Sequence, residues 1–152
     1  MSHITTIKTK FANLEAVELA ARECGVELRR NQKTFLAFAG EKHPCDAAVC
    51  VPEAIAKTLD RPPYELGLVK QADGSYEARI DNWQGGYGLN ARIGNDACKL
   101  QQLYGIHAAT LAARRQGMNV TRQNQQDGSI RLICEPKPVY AQAGAGWAGS
   151  GY

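Results

Sequence analysis

The order of periodic segments in this 152-residue chain predicts an α+β fold. Segments with β-branched or aromatic residues at alternate positions occur near the N-terminus, through the middle of the chain and around residue 130. Two other segments carry apolar residues at the spacing of a helix. The resulting order is strand, helix, several strands, helix and two strands. Two helices packed on one face of a mostly antiparallel sheet form a sandwich of the ferredoxin-like kind, which is the architecture that we expect.

The N-terminal part of the chain is predicted to form a strand, a helix and a second strand. Residues 2–11 have the β-branched content of a strand. Asn13 is a good cap for a helix over residues 14–24, which a glycine then ends. Val26 and Leu28 open the second strand.

The middle of the chain is predicted to contain short strands joined by turns. Apolar runs at residues 35–39 and 47–51 are strand-like, with a loop at residues 40–44 between them. Residues 52–63 are predicted to form an irregular connection that can contain one turn of helix. A hairpin follows over residues 64–80, because alternating residues flank an Asp-Gly-Ser turn.

The longest helix is predicted over residues 96–116. Asn95 or Asp96 would cap it, Gly117 would end it, and a pair of arginines in the last turn suits the helix dipole. Its apolar face consists of Leu100, Leu103, Tyr104, His107 and Leu111. A second hairpin over residues 118–135 is expected to lay its apolar face on this helix, because an isolated hairpin is barely stable.

The chain changes character after Pro138. Residues 139–152 contain no charge and are mostly Ala, Gly and Ser. We therefore expect one α+β domain over residues 1–138, followed by a flexible Ala/Gly-rich tail over residues 139–152.

Composition limits the classes of protein and of partner. The net charge of +3 permits an anionic partner but is small for a dedicated nucleic-acid-binding domain. No apolar run is long enough to cross a bilayer, and the N-terminus lacks the pattern of a signal peptide, so we expect a cytoplasmic protein that does not contact membranes. The five cysteines are expected to be reduced, with Cys24 and Cys134 in the core.

Two sets of residues are candidates for metal binding or catalysis. The residues that could form a metal site are His43, Cys45, Cys50 and Cys98. Their spacing lacks a tight Cys-x-x-Cys pair, so we expect neither a metal nor a cofactor. Tyr104 and His107 share a helix face and would suit acid–base chemistry. Because His107 lies among apolar positions, a half-buried, hydrogen-bonded histidine is the preferred interpretation.

The glycine-rich loop 83–95 connects the predicted sheet to the long helix. It matches neither common phosphate-binding pattern, so a flexible connector is the simplest interpretation. Aromatic and cationic side chains keep a binding role open, because they can stack on and pair with a nucleotide or a partner peptide. The candidate ligand- or partner-binding residues are Trp83, Gly85, Gly86, Tyr87 and Arg92.

Several segments, taken in order, resemble those of a known family. They are the opening Met1-Ser2-His3-Ile4-Thr5-Thr6-Ile7-Lys8-Thr9, the Asp-Gly-Ser-Tyr-Glu stretch at 73–77, Trp83, the Tyr104-x-x-His107 helix, and Gly117 with residues 127–132. With them the chain resembles the hypothetical chloroplast open reading frame thirty-five family, a domain of unknown function in cyanobacteria, plastids, other bacteria and phages. The resemblance covers most of residues 1–135, with departures at residues 52–63 and in the tail. It implies no established activity. Some members occur beside ATPases of the AAA class, which implies an accessory role.

We expect a non-enzymatic binding or adaptor module with a protein partner, from a bacterium or a phage. The reasons are the resemblance and the lack of a convergent nucleophile–base or carboxylate pair. The alternative is a nucleotide- or nucleic-acid-binding protein that uses the glycine-rich loop 83–95 and the basic end of the helix 96–116. An enzyme built on Tyr104 and His107 is the third interpretation. The sequence leaves the oligomeric state open.

Overall fold

The structure of the protein is a computed structural model that describes residues 3–138. The predicted tail, residues 139–152, lies outside the described residues. The chain divides into two units with a boundary between His107 and Ala108, so that the described parts are residues 3–107 and 108–138. The assignment of residues 1–138 to one domain stays a prediction.

The helices and strands follow the predicted order. The helices are α1 (Leu14–Glu23), α2 (Glu53–Ala56), α3 (Leu89–Ile93) and α4 (Cys98–Arg115). The strands are β1 (Ile4–Phe11), β2 (Glu27–Arg29), β3 (Thr34–Leu36), β4 (Lys42–Pro44), β5 (Ala47–Cys50), β6 (Leu66–Lys70), β7 (Tyr76–Asp81), β8 (Met118–Asn124) and β9 (Ile130–Pro136).

Five of the strands form an antiparallel sheet in the first unit, in the order β1-β7-β6-β5-β2. The α+β class with a mostly antiparallel sheet is therefore confirmed. The ferredoxin-like arrangement is not confirmed, because β1 and β2 occupy the two opposite edges of this five-stranded sheet. The predicted hairpin of residues 64–80 is present as β6 and β7, in the middle of the sheet.

Helix α1 begins as the sequence predicts. The Asn13 side chain accepts hydrogen bonds from the backbone N–H groups of Glu15 and Ala16, at 2.9 and 3.3 Å, which satisfies two donors that the first turn cannot pair. The helix packs its small residues inward, and those buried are Ala16, Val17, Ala20 and Ala21. The predicted core position of Cys24 is confirmed.

The predicted loop at residues 40–44 is partly wrong. Residues 42–44 form β4, which pairs with β3 in a separate two-stranded sheet. The short polar segment was hard to recognise because it contains Pro44, and proline is confined to edges of sheets. Before it, residues 38–40 form a tight turn in which Ala39 has a φ of 59°.

Helix α4 starts later than predicted. Residues 95–97 form a separate turn, and Asp96 adopts a φ of 53° there. Its carboxylate accepts a hydrogen bond from Asn82 Nδ2 at 2.6 Å, so Asp96 ties this turn to the end of the sheet. The predicted apolar face is present, with Leu100, Leu103 and Tyr104 buried.

The second unit contains the predicted hairpin of β8 and β9. Asp127 accepts hydrogen bonds from the Ser129 backbone N–H and hydroxyl, which stabilises the turn. None of the described residues 108–138 is buried. The predicted core position of Cys134 is therefore wrong. Alternation placed Cys134 on the same face as its partner Val120, but alternation does not specify that another layer covers that face.

Candidate functional site

The glycine-rich segment begins with a turn of left-handed backbone. Gln84, Gly85, Gly86 and Tyr87 have φ values of 50°, 63°, 64° and 51° in succession. Glycine adopts this conformation at little cost, whereas each non-glycine residue pays about 1–2 kcal/mol. The strain at Gln84 and Tyr87 is kept because the surrounding structure holds the turn in place.

The helix that follows the turn packs one side into the core. Helix α3 follows the turn, and its Leu89 and Ile93 are fully buried. The Gly86 carbonyl accepts a hydrogen bond from the Tyr64 backbone N–H at 2.9 Å. An added Cβ at Gly86 would come within 3.2 Å of Leu89. Residues 83–93 are therefore an ordered element, and the interpretation as a flexible connector is wrong for them.

An open cavity of about 570 Å³ lies beside this turn. Its walls come from residues 36–40, Arg61, Pro62, Tyr64, Trp83 and Tyr87. A neighbouring depression of about 320 Å³ shares Arg61 and Tyr87 with the cavity and is also lined by Leu59 and Asp60. The larger volume is typical of sites that bind small molecules or inserted side chains, for which about 300–1,000 Å³ is usual. We call this larger space the aromatic cavity.

Aromatic contacts build its walls. The Trp83 ring meets the Phe38 ring edge to face at 5.6 Å, and the His3 ring stacks on Trp83 at 5.1 Å. On the other side the Tyr64 and Tyr87 rings are perpendicular, with their centroids 5.3 Å apart. Such edge-to-face pairs fix ring orientation and contribute about 0.5–1.5 kcal/mol each beyond burial. The aromatic cavity is therefore held in shape by its own walls.

Two large apolar side chains are exposed among the described residues, and both lie at this site. Trp83 is 42% exposed and Leu59 is 39% exposed. Leu59 lines the neighbouring depression, and Trp83 lines the aromatic cavity itself. Trp83 and Leu59 are therefore exposed at two adjoining concavities that share Arg61 and Tyr87.

Arg61 supplies the positive charge at the aromatic cavity. Its guanidinium carbon lies 5.1 Å from the centroid of the Tyr87 ring, a cation–π distance. One guanidinium nitrogen also donates to the Tyr87 hydroxyl at 3.2 Å. Among residues 3–138, no carboxylate forms an ion pair with Arg61.

A buried carboxyl group joins the two halves of the wall. Asp81 ends β7 and is fully buried. One of its oxygens accepts from the Phe38 backbone N–H at 3.0 Å, and the other accepts from the Trp83 backbone N–H at 2.9 Å. Burial, followed by the nearby Asp81, raises the pKa of the Tyr64 hydroxyl.

Asp81 is a residue of the site that the sequence patterns above do not single out. The available signal was an aspartate at the end of an otherwise alternating strand, immediately before Asn-Trp. Aspartate is depleted in strands, so its presence there needs a reason. Hydrogen bonding to two backbone donors provides that reason.

The predicted binding residues separate into two groups. Trp83 and Tyr87 line the aromatic cavity, and Gly85 and Gly86 form the left-handed turn between them. Arg92 is not brought to this cavity. Its guanidinium lies near the Gly25 carbonyl, 3.4 Å from that oxygen, and Arg61 supplies the cation that was expected from Arg92. That these residues bind a partner stays a prediction.

Tyr104 and His107 both have partners within the first unit. The Tyr104 hydroxyl accepts from the backbone N–H groups of Ala12 and Asn13, at 2.8 and 3.3 Å. His107 Nε2 is hydrogen-bonded to a Glu23 carboxylate oxygen, and the histidine side chain is 20% exposed. The prediction of a half-buried, hydrogen-bonded His107 is confirmed, and the geometry gives both residues a role in packing.

The cysteines and His43 are dispersed. Cys45 and Cys50 lie in a core cluster with Phe35, and burial raises the pKa of both thiols, that of Cys45 to about 11. Cys98 is exposed on α4. Within the part of the chain that the structure describes, no group of three or more His, Cys, Asp or Glu side chains is arranged to hold a metal ion. The five thiols are all free.

The fold and the site define a mixed α+β protein with an open, aromatic-walled cavity. Residues 20–133 match a family described as a protein of unknown function, DUF1257. This match covers more than half of the chain, which therefore belongs to the DUF1257 family. The chain has no significant match among the curated proteins or among the solved structures. No helix of the described residues is long and apolar enough to cross a membrane.

Proposed function

We propose that the protein is a non-enzymatic binding module that holds a segment of a protein partner in the aromatic cavity. The observation that carries this proposal is the position of Trp83 and Leu59. These two exposed large apolar side chains of the described residues line the aromatic cavity and the depression beside it, and the two concavities share Arg61 and Tyr87. Tryptophan and tyrosine dominate the energies of protein interfaces, since they offer a large contact area and lose few rotatable bonds.

The left-handed turn supports the same proposal. Gln84 and Tyr87 adopt a backbone conformation that is unfavourable for residues with a side chain. Strain of this kind is common at ligand-binding sites, where it presents a side chain in a fixed position. Here it presents the Tyr87 ring to the cavity, against the ring of Tyr64.

The wider role is proposed from the resemblance alone. We place the chain with the hypothetical chloroplast open reading frame thirty-five group within its family, as an adaptor in the cytoplasm that is accessory to an ATPase-containing system. A binding module without catalytic residues suits such a role, because an adaptor needs a surface that recognises a partner and no chemistry of its own.

The alternative function is nucleotide or nucleic-acid binding. It is favoured by the exposed Trp83 ring, on which a base can stack, and by Arg61, which can pair with a phosphate. Arg114 and Arg115, exposed at the end of α4, are the other part of this alternative. Binding by such residues weakens steeply as salt is added, because counterions are released from the nucleic acid.

A selection of short random peptides displayed on phage tests the proposal on the full chain. Peptides that bind the wild type should bind Trp83→Ala and Tyr87→Ala more weakly by about 1–3 kcal/mol, the usual range for interface hot spots. Tyr76→Ala is the matched control, since it removes a half-buried tyrosine from the opposite end of β7. Melting temperatures of the variants show that each remains folded.

Two results would refute the proposal. One is selected peptides that bind Trp83→Ala and Tyr87→Ala as well as they bind the wild type. The other is steeply salt-dependent binding of a single-stranded oligonucleotide that requires Arg114 and Arg115, with no peptide selected, because that result would establish the alternative.

A further inference from the structure

We infer that the partner segment carries an aspartate or glutamate beside the apolar side chain that enters the aromatic cavity. This inference rests on the proposed function and specifies the chemistry of the partner. Its basis is the combination of apolar walls with one cation, Arg61, that forms no ion pair with any described residue.

Arg61 has donors available for a carboxylate. The Tyr87 hydroxyl takes one guanidinium N–H, and the Tyr87 ring lies within cation–π distance of the guanidinium. A guanidinium has further donors in a fixed fork, a geometry that matches the two oxygens of a carboxylate. Contact with Tyr87 restricts the side chain before any ligand arrives, which reduces the entropy lost on binding.

None of the described carboxylates near the aromatic cavity pairs with Arg61. Within residues 3–138, no Asp or Glu lines this cavity. Asp60 lines the neighbouring depression but forms no ion pair with Arg61. Asp81 lies behind the wall and accepts hydrogen bonds from the backbone of Phe38 and Trp83. An incoming carboxylate would therefore be the first anion to pair with Arg61.

The number of charges favours an acidic peptide over a nucleotide. Arg61 is the one cationic side chain that lines the aromatic cavity in the described chain. A phosphate group carries more negative charge than a carboxylate, and nucleic-acid sites collect several Lys and Arg side chains on one surface. One arginine beside aromatic walls is matched by one carboxylate beside an apolar group.

Peptide selection on three full-length proteins tests the inference. They are the wild type, Arg61→Gln, and Arg92→Gln as the matched control, because Arg92 lies away from the cavity. We expect the wild type and Arg92→Gln to select an apolar residue next to Asp or Glu, and Arg61→Gln to select the apolar residue alone. A selected peptide, resynthesised with Gln in place of Glu, should bind the wild type about tenfold more weakly, as for the loss of a hydrogen bond to a charged group. That difference should vanish in Arg61→Gln.

Failure of the inference differs from failure of the proposed function. If selected peptides depend on Trp83 but show no acidic preference, the inference is overturned and the binding module stands. If no peptide depends on Trp83, both are overturned. Adenosine monophosphate is tested alongside, and tighter binding of it than of any peptide, with loss in Trp83→Ala, would also overturn the inference.

Discussion

Replacing Asp81 with asparagine should destabilise the protein and loosen the wall of the aromatic cavity. Both carboxyl oxygens of Asp81 accept hydrogen bonds from backbone N–H groups, one from Phe38 and one from Trp83. Asparagine has the same shape but only one acceptor oxygen, because the other atom becomes an NH₂ donor. Whichever way the amide is turned, one of the two backbone donors meets another donor.

The cost follows from the hydrogen bonds. Asp81 has no exposed surface, so water cannot replace the lost acceptor at its side chain. Leaving one donor unsatisfied beside this buried side chain costs about 1–3 kcal/mol, and the remaining bond is weakened because its acceptor is no longer charged. We therefore expect a loss of about 2–4 kcal/mol in the free energy of unfolding, which is large beside a typical total of about 5–15 kcal/mol.

Urea unfolding of the full chain, followed by circular dichroism, measures this loss. With a slope of about 1–3 kcal/mol per molar urea, the midpoint should fall by about 1 M or more. Asp60→Asn is the matched control. The Asp60 carboxylate is exposed and forms no ion pair with another described residue, so the midpoint should hardly change. An Asp81→Asn variant as stable as the wild type would show that the two hydrogen bonds do not hold the wall together.

Three further predictions concern the packing and the turns. Gly67→Ala should lower the melting temperature markedly, since an added Cβ would lie 2.1 Å from a ring carbon of Phe35, and overpacking of this kind costs about 1–3 kcal/mol. Gly105→Ala should instead stabilise the protein by up to about 1 kcal/mol in urea unfolding, because a Cβ there meets no described atom within 4 Å and alanine favours the helix. In NMR titrations, the Asp73 carboxyl should show a pKa near 2, lowered first by the Ser75 hydroxyl and then by the Ser75 N–H, and Ser75→Ala should raise it. Because this pKa is depressed in the folded state, the stabilisation is present above the ordinary pKa of about 4 and is lost as the pH falls towards 2. A normal Asp73 pKa, a stable Gly67→Ala variant or a weakened Gly105→Ala variant would each contradict its prediction.

The sequence was most informative where local chemistry decides the structure. Asn13 was recognised as a helix cap, and the Asp-Gly-Ser turns marked both hairpins, because these residues act on backbone groups only a few positions away. The α+β class follows because apolar residues recur at every second position in some segments, as in strands, and at spacings of three and four in others, as in helices.

The sequence was least informative where distant segments meet. Arg61 lies in the connection between β5 and β6, and the residues next to it in the sequence do not indicate that it lies over the ring of Tyr87. Nearness in sequence to the aromatic residues favours Arg92 as the cation of the site, yet helix α3 places it beside Gly25. Asp81 likewise reads as the end of a strand, and only the fold shows that Phe38 donates to it.

The placement of β1 and β2 at opposite edges of the sheet has a consequence for how the chain folds. Strand β1 is synthesised first, but its partner is β7, and the register joins Ile4 to Asp81. During synthesis, β1 can therefore pair only after β7 has left the ribosome. By then β6 can already pair with both β5 and β7, which are its neighbours in sequence. Closing so long a loop costs more chain entropy than pairing strands that are close in sequence, so the β1–β7 pair should form after the hairpins. The last edge to close is thus the N-terminal one, so changes in β1 that act after the rate-limiting step should mainly speed unfolding and leave the folding rate nearly unchanged.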